Sequence, residues 1–268
     1  MFRLAVLQFT PRFGEVQSNL DHVEGMIAGL ECDLLILPEL FASGYWFETA
    51  EQVASAVEAL DGPTAQRVRG WAGELNAAIA FGFPERHGSD YYNSALLTTG
   101  DEDLIHYRKL HLFAEEKRWF KPGDRQLEVV EFRQARLGMM VCFDWRFPET
   151  ARTLAFRGAD LIVHPSNLVL PWCPDAMITR ALENNVFIAT ADRSGEDHQG
   201  DRSLHFIGQS QVIAPDGERL GQLPEAGEGI LQVQIDPARA RQKAISEHND
   251  LFGDLRPEFY TGPGAAGI

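Results

Sequence analysis

The sequence predicts an α/β fold. Strand-length apolar runs alternate with helically spaced segments along the whole chain. Of 268 residues, 44% are hydrophobic, enough for a sizeable core. No composition shift or long linker divides residues 1–260, which are expected to form one domain.

In chain order, Phe2 to Phe9 reads as a strand broken by Thr10-Pro11, and Asn19 to Leu30 as a helix. Asp33 to Leu37 is a buried strand that stops at Pro38, with Glu39 at its carboxyl end. The turn Phe41 to Phe47 carries the aromatics Phe41, Tyr45, Trp46 and Phe47. Helices are expected over Ala50 to Leu60 and Pro63 to Leu75, and a strand over Ala77 to Phe83. Tyr92 to Thr98 and Asp103 to Lys109 pair through a Gly100-Asp101 turn.

The charge run Ala114 to Arg118 reads as a solvated face. Gln126 to Phe132 and Ala135 to Val141 are strands, and the second ends abruptly at Cys142 before a helix from Glu149 to Arg157. Further strands are Leu161 to His164, Val186 to Ala191, Phe206 to Ala214 and Gly229 to Ile235. A helix spans Asp175 to Asn184, and Pro237 starts a last one. The Gly/Ala/Pro-rich residues 261–268 are expected to be a flexible tail. Its formal G-x-G-x-x-G (Gly262, Gly264, Gly267) is followed by no helix, so no dinucleotide site is expected there.

Net charge is −15, from 24 basic and 39 acidic residues, which argues against nucleic acid or an anionic membrane as a partner. No apolar run approaches the roughly 20 residues of a membrane span. The opening MFRLAVLQF is too short and too alternating for a signal peptide. The cysteines Cys32, Cys142 and Cys173 show no Cys-x-x-Cys spacing, and a reducing cytoplasm is the expected compartment.

Three chemically unusual residues each end an apolar run: Glu39, Lys109 and Cys142. Taken singly they are ambiguous. Cys142 suits a small core hydrophobe as well as a nucleophile, and Glu39 a surface ion pair as well as a base. In an α/β sheet, however, neighbouring strand ends gather at one crevice. A thiol, a carboxylate and an ammonium there provide a nucleophile, a base that later protonates a leaving amine, and a cation that favours thiolate and binds an oxyanion.

The segments carrying them are Leu37-Pro38-Glu39-Leu40, Tyr107-Arg108-Lys109-Leu110-His111-Leu112-Phe113 and Cys142-Phe143-Asp144-Trp145-Arg146-Phe147-Pro148-Glu149. In this order they resemble the three boxes of the nitrilase superfamily of carbon–nitrogen hydrolases. The resemblance covers nearly the whole chain, through Asn249-Asp250-Leu251-Phe252 and Arg256-Pro257-Glu258.

The resemblance implies a four-layer α-β-β-α sandwich whose subunits associate as a homodimer or higher homo-oligomer, with no cofactor and no metal. It implies Glu39 as general base, Cys142 as nucleophile, and Lys109 with the Phe143 amide as oxyanion donors. A second glutamate falls best on Glu116, with Glu115 the alternative, and Asn167 borders the pocket. Tyr45, Phe113, Trp145 and Trp172 suggest a confined apolar pocket. Arg146 and Arg193 are expected to bridge to Asp144 and Asp192 rather than to a substrate carboxylate.

Competing readings are weaker. His106, His111, His164, His205 and His248 are available for a Cys–His hydrolase, but none sits in a motif. There is no His-Glu-x-x-His, no paired-cysteine metal spacing and no Gly-x-Ser-x-Gly elbow. A non-enzymatic scaffold need not have kept Glu39, Lys109 and Cys142 together. A small aliphatic amide is the expected substrate. The alternatives are a small nitrile, an N-carbamoyl amide and a dicarboxylic monoamide.

Overall fold

A computed structural model describes residues 1–260, so the tail and its glycine motif lie outside the described residues. The strands are β1 (Phe2–Gln8), β2 (Leu34–Ile36), β3 (Ala78–His87), β4 (Asp90–Thr98), β5 (Asp103–Arg108), β6 (Val129–Phe132) and β7 (Ala135–Met139). They continue with β8 (Leu161–Ser166), β9 (Phe187–Asp192), β10 (Glu196–Gln199), β11 (Arg202–His205), β12 (Gln211–Ile213), β13 (Arg219–Gln222) and β14 (Gly229–Ile235). The helices are α1 (Val16–Ile27), α2 (Ala50–Ala56), α3 (Pro63–Leu75), α4 (Glu116–Trp119), α5 (Pro148–Phe156) and α6 (Cys173–Asn184).

Two six-stranded sheets, ordered β14-β1-β2-β3-β4-β5 and β13-β12-β9-β8-β7-β6, pack face to face. Alternation along the strands builds the layers. Leu4, Val6, Leu34 and Ile36 point into the core shared with Leu137, Met139 and Val163 of the second sheet. Ala5, Leu7, Leu35 and Leu37 point the other way, under Leu20 and Val23 of α1 and Val68 and Trp71 of α3. Helices α5 and α6 cover the far face of the second sheet through Ala151, Leu154, Met177 and Ala181. The result is the expected α-β-β-α sandwich.

The centre of each sheet is parallel: β1, β2 and β3 in one, β7, β8 and β9 in the other. Because β4 is antiparallel to both β3 and β5, β5 runs the same way as β2. The carboxyl ends of β2 and β5 therefore lie on one edge of the first sheet. Those of β7 and β8 share one edge of the second.

Several expected elements differ. The strand expected from Gln126 begins only at Val129, and of Phe206 to Ala214 only Gln211–Ile213 pairs. Phe206 is instead a buried loop residue under the Arg193 guanidinium, 3.8 Å from its ring centroid. Pro237 starts a single 3-10 turn, Pro237–Arg241, capped by Asp236. The polar hairpin β10–β11 was not legible as strands, having no apolar alternation. In the charge run, α4 buries Glu116 while Lys117 and Arg118 face solvent. Among the described residues no helix is long and apolar enough to cross a membrane.

Beneath the edge of the first sheet lies a buried ion network. Arg108 Nη2 donates to Glu85 Oε1 at 2.6 Å, and Ser94 and His106 bond Glu85 Oε2 at 2.5 and 2.8 Å. Burial pushes the Glu85 carboxyl up, but the bonds from His106, Arg108 and Ser94 outweigh it and hold it well below the ordinary carboxylate range. A depressed folded-state pKa stabilises the fold above the unfolded value of about 4.3 and loses that contribution as pH falls. Glu85→Gln should therefore cost about 1–3 kcal/mol at neutral pH, by removing the carboxylate that Arg108, Ser94 and His106 share, while Arg108 keeps Asp124 at 3.0 Å. It should also flatten the acid side of a denaturation-versus-pH curve. A variant as stable as wild type at pH 7 would show that the network contributes nothing.

Candidate active site

Each functional group sits just beyond a strand that the core holds in place. After β2 the chain turns at Pro38-Glu39-Leu40, with Leu40 at a φ of 47°. Glu39 is buried, and its backbone crosses that of β3 so closely that a Cβ on Gly82 would lie 2.6 Å from Glu39 Cα. Lys109 follows β5 and is fully buried. A Cβ on Gly123 would lie 2.0 Å from Arg108 O, so this glycine lets the loop pass behind the strand end. Cys142 follows β7 with a φ of 42°, a left-handed conformation that an L-residue keeps only when its surroundings enforce it.

The three groups converge with a fourth. Lys109 Nζ donates to Glu39 Oε1 and to Glu116 Oε1, each at 2.7 Å. Asn93 Nδ2 donates to the same Glu39 oxygen at 2.7 Å. Glu39 Oε2, also buried, has no hydrogen-bond partner among the described residues. Tyr45 OH donates to Glu116 Oε1 at 2.5 Å, and the Phe113 N–H to Glu116 Oε2 at 3.3 Å. Glu115, the alternative second glutamate, is exposed and pairs with Arg118.

Burial controls the protonation states. It pushes Glu39 up to about 7, with Lys109 opposing and Glu116 adding to the rise. It also pushes the Cys142 thiol well above its ordinary value, helped by Glu39 and Glu116 and only partly opposed by Lys109. Lys109 favours the thiolate, as expected, but dehydration and the two carboxylates outweigh this one cation. For Lys109 burial disfavours the charge, but Glu116 and Glu39 more than compensate and keep it an ammonium. The site at rest holds a neutral thiol beside a carboxylate able to exchange a proton near neutrality.

Cys142 opens onto a cavity of about 260 Å³ lined by Phe113, Phe143, Trp145, Asn167, Leu168 and Trp172 among others. Asn167 touches both halves of the site. Its carbonyl lies 3.7 Å from Cys142 Sγ, and its Nδ2 donates to Glu39 O at 2.9 Å. Tyr45, expected to line the pocket, lies outside this lining and instead supports Glu116. Its backbone N–H and that of Trp46 bond Asp197 of the unexpected hairpin.

Neither arginine takes its expected partner, although Arg193 does hold a structural ion pair. Arg193 is fully buried on Asp197 at 2.9 Å, not on Asp192. Asp192 accepts from the Leu168 N–H instead. Arg146 stands exposed at the cavity rim, over the rings of Trp145 and Trp172, and forms no ion pair among the described residues. Asp144, its expected partner, is a buried clamp between two boxes. It accepts from Tyr107 OH at 2.7 Å and from the His111 and Val141 N–H groups at 3.0 Å each. Sequence reasoning missed this clamp, as well as Asn93 and Gly82. His164 bonds the Cys142 carbonyl oxygen rather than the thiol, and burial lowers its pKa to about 4. That removes support from the Cys–His reading.

A thiol, a buried ammonium and paired carboxylates meet between the two sheets, a set of groups suited to hydrolysis. Residues 3–244 match the carbon–nitrogen hydrolase family model, and the chain belongs to that family, within the nitrilase superfamily. It is 40% identical over 264 residues to a nitrilase of Pyrococcus abyssi, covering 97% of this chain and 99% of the other. It is 32% identical over 259 residues to an (R)-stereoselective amidase of a Pseudomonas species, covering 95% and 91%. A solved variant of the amidase from Nesterenkonia sp. AN1 is 31% identical with a TM-score of 0.76, covering 91% and 94%. That structure carries the acetamide moiety of fluoroacetamide covalently added at its active-site cysteine.

The close backbone approaches behind Glu39 and Lys109 predict that Gly82→Ala and Gly123→Ala each lower kcat about 100-fold by displacing these groups by about an ångström. Each should leave a discrete melting transition. Steady-state kinetics on purified variants checks this, and unchanged kcat would mean that the strand ends tolerate the shift.

Proposed function

We propose that the protein is an amidase converting a small aliphatic amide to carboxylic acid and ammonia. The observation that carries this reading is the Glu39 carboxyl. One oxygen is held by Lys109 and Asn93, the other has no partner among the described residues, and burial raises the group's pKa to about 7. Such a group can both take and return a proton, which amide cleavage requires in turn.

Glu39 takes the thiol proton as Cys142 Sγ bonds to the substrate carbonyl carbon. The oxyanion is held by Lys109 and the Phe143 N–H. Glu39 then protonates the nitrogen, the C–N bond breaks and ammonia leaves a thioester. Water loses a proton to Glu39 as it attacks that thioester. Collapse releases the acid, and the proton returns to sulfur. Glu116 and Tyr45 keep the Lys109 ammonium in place throughout.

The small apolar cavity favours a short acyl group, and two of the similar proteins named above are amidases. A nitrilase is the second reading, favoured by the Pyrococcus abyssi relative. Arg146 at the rim, without an ion pair among the described residues, makes a dicarboxylic monoamide or N-carbamoyl amino acid the charged alternative to test beside the neutral amides.

Ammonia release from propionamide, a dicarboxylic monoamide, an N-carbamoyl amino acid and a short aliphatic nitrile tests the assignment. Amide turnover is expected, with Cys142→Ala abolishing it. Release from the nitrile alone would overturn it. Lys109→Arg should lower kcat at least about 100-fold, because a planar guanidinium cannot replace a point charge held between two carboxylates. Near-normal turnover by that variant would remove Lys109 from the oxyanion site.

A further inference from the structure

We propose that His164 is a positioning residue that aims the Phe143 N–H at the oxyanion by pinning the Cys142 carbonyl. The inference rests on the reading of Cys142 as nucleophile and the Phe143 amide as oxyanion donor.

His164 lies in the middle of the apolar strand β8 with no solvent exposure, a place where a polar ring must have partners. Its Nε2 lies 2.9 Å from Cys142 O and its Nδ1 3.0 Å from Thr190 Oγ1. A carbonyl can only accept, so the ring proton sits on Nε2, and Nδ1 accepts from the Thr190 hydroxyl. Ser166 Oγ, 3.1 Å from Nε2 and 3.4 Å from His164 O, closes the set. Burial keeps the ring neutral, with a pKa of about 4, so this arrangement persists through the neutral range.

The consequence follows from peptide geometry. The described peptide bonds are all trans, so the C=O of Cys142 and the N–H of Phe143 point in opposite directions across one rigid plane. Fixing the oxygen against β8 fixes the hydrogen on the other side. Nothing among the described residues accepts that N–H. The left-handed φ of Cys142 leaves the elbow strained, so the peptide plane needs such an external restraint. Thr190 on β9 thus sets the His164 ring, His164 on β8 sets the peptide after β7, and three neighbouring strands aim one donor.

The test compares wild type with His164→Phe, His164→Gln and His164→Asn on the amide that wild type hydrolyses, together with alkylation of Cys142 by iodoacetamide. His164→Phe fills the space without a donor. It should lower kcat about 100-fold with KM within about twofold. Its pH profile and alkylation rate should be unchanged, because displacement of iodide forms no oxyanion. Gln places an amide N–H near the Nε2 position and should recover kcat to within about tenfold of wild type, while the shorter Asn should not.

Should the Phe variant fail to fold, the Gln–Asn contrast makes the same test. Wild-type kcat in His164→Phe, or equal kcat in Gln and Asn, overturns the proposal. So does loss of alkylation with a moved acid limb, which would make His164 the base. Absence of amide turnover in wild type would instead sink the underlying amidase reading, and is seen before any variant is compared.

Discussion

A lysine ammonium buried between two carboxylates is the constraint on which the rest of the site depends. Isolated in the interior, the Lys109 charge would be lost by deprotonation or would unfold its surroundings. Glu39 and Glu116 make it tenable, each 2.7 Å away. Two carboxylates around one ammonium leave one net negative charge in a dry site. Burial raises Glu39 toward neutrality and keeps the Cys142 thiol protonated, with Glu116 adding to both shifts and Lys109 opposing them. Under the proposed function, this thiol stays unreactive until an electrophile arrives and its proton can move to Glu39. Arrangement of charge and chemistry of the proton are one problem here.

Holding such a cluster requires that its members come from elements that do not shift relative to one another. Glu39 and Lys109 leave one sheet, and Cys142 leaves the other. Two bridges lock the pair of sheets at this edge. Asp144 joins Tyr107 and His111 to Val141, and Asn167 joins Glu39 to the sulfur. Both bridges use buried or partly buried hydrogen bonds, which orient more than they stabilise. Around them the apolar interlayer, with small residues such as Ala78, Ala80 and Ala95, keeps the sheets close.

Much of this was legible in the chain because the informative signals are local. An apolar run that ends in Glu, Lys or Cys can be read without knowing its neighbours, and so can its place at a strand end. The layered architecture and the choice of Glu116 over Glu115 came from resemblance, and the structure bears out the first and brings Glu116 to Lys109. What was not legible depends on contacts between distant residues. Asn93 lies 54 positions from the carboxylate it holds, and nothing in the strand around it marks it. Asp144 and Arg146 look like natural partners two residues apart, yet the aspartate turns inward to the lysine box. The hairpin Glu196 to His205 lacks strand alternation because Asp197, not apolar packing, anchors it through Arg193, Tyr45 and Trp46.

The central claim is that a buried Glu39, poised near neutrality, is the proton carrier for Cys142. The pH dependence of kcat/KM for a small amide tests it most directly, because that profile reports the free enzyme. The account predicts a rate that rises as pH increases through an apparent value near 7, the ionisation of the cluster around Glu39. A profile flat from neutrality down to about pH 5, as an ordinary solvated carboxylate would give, would contradict it.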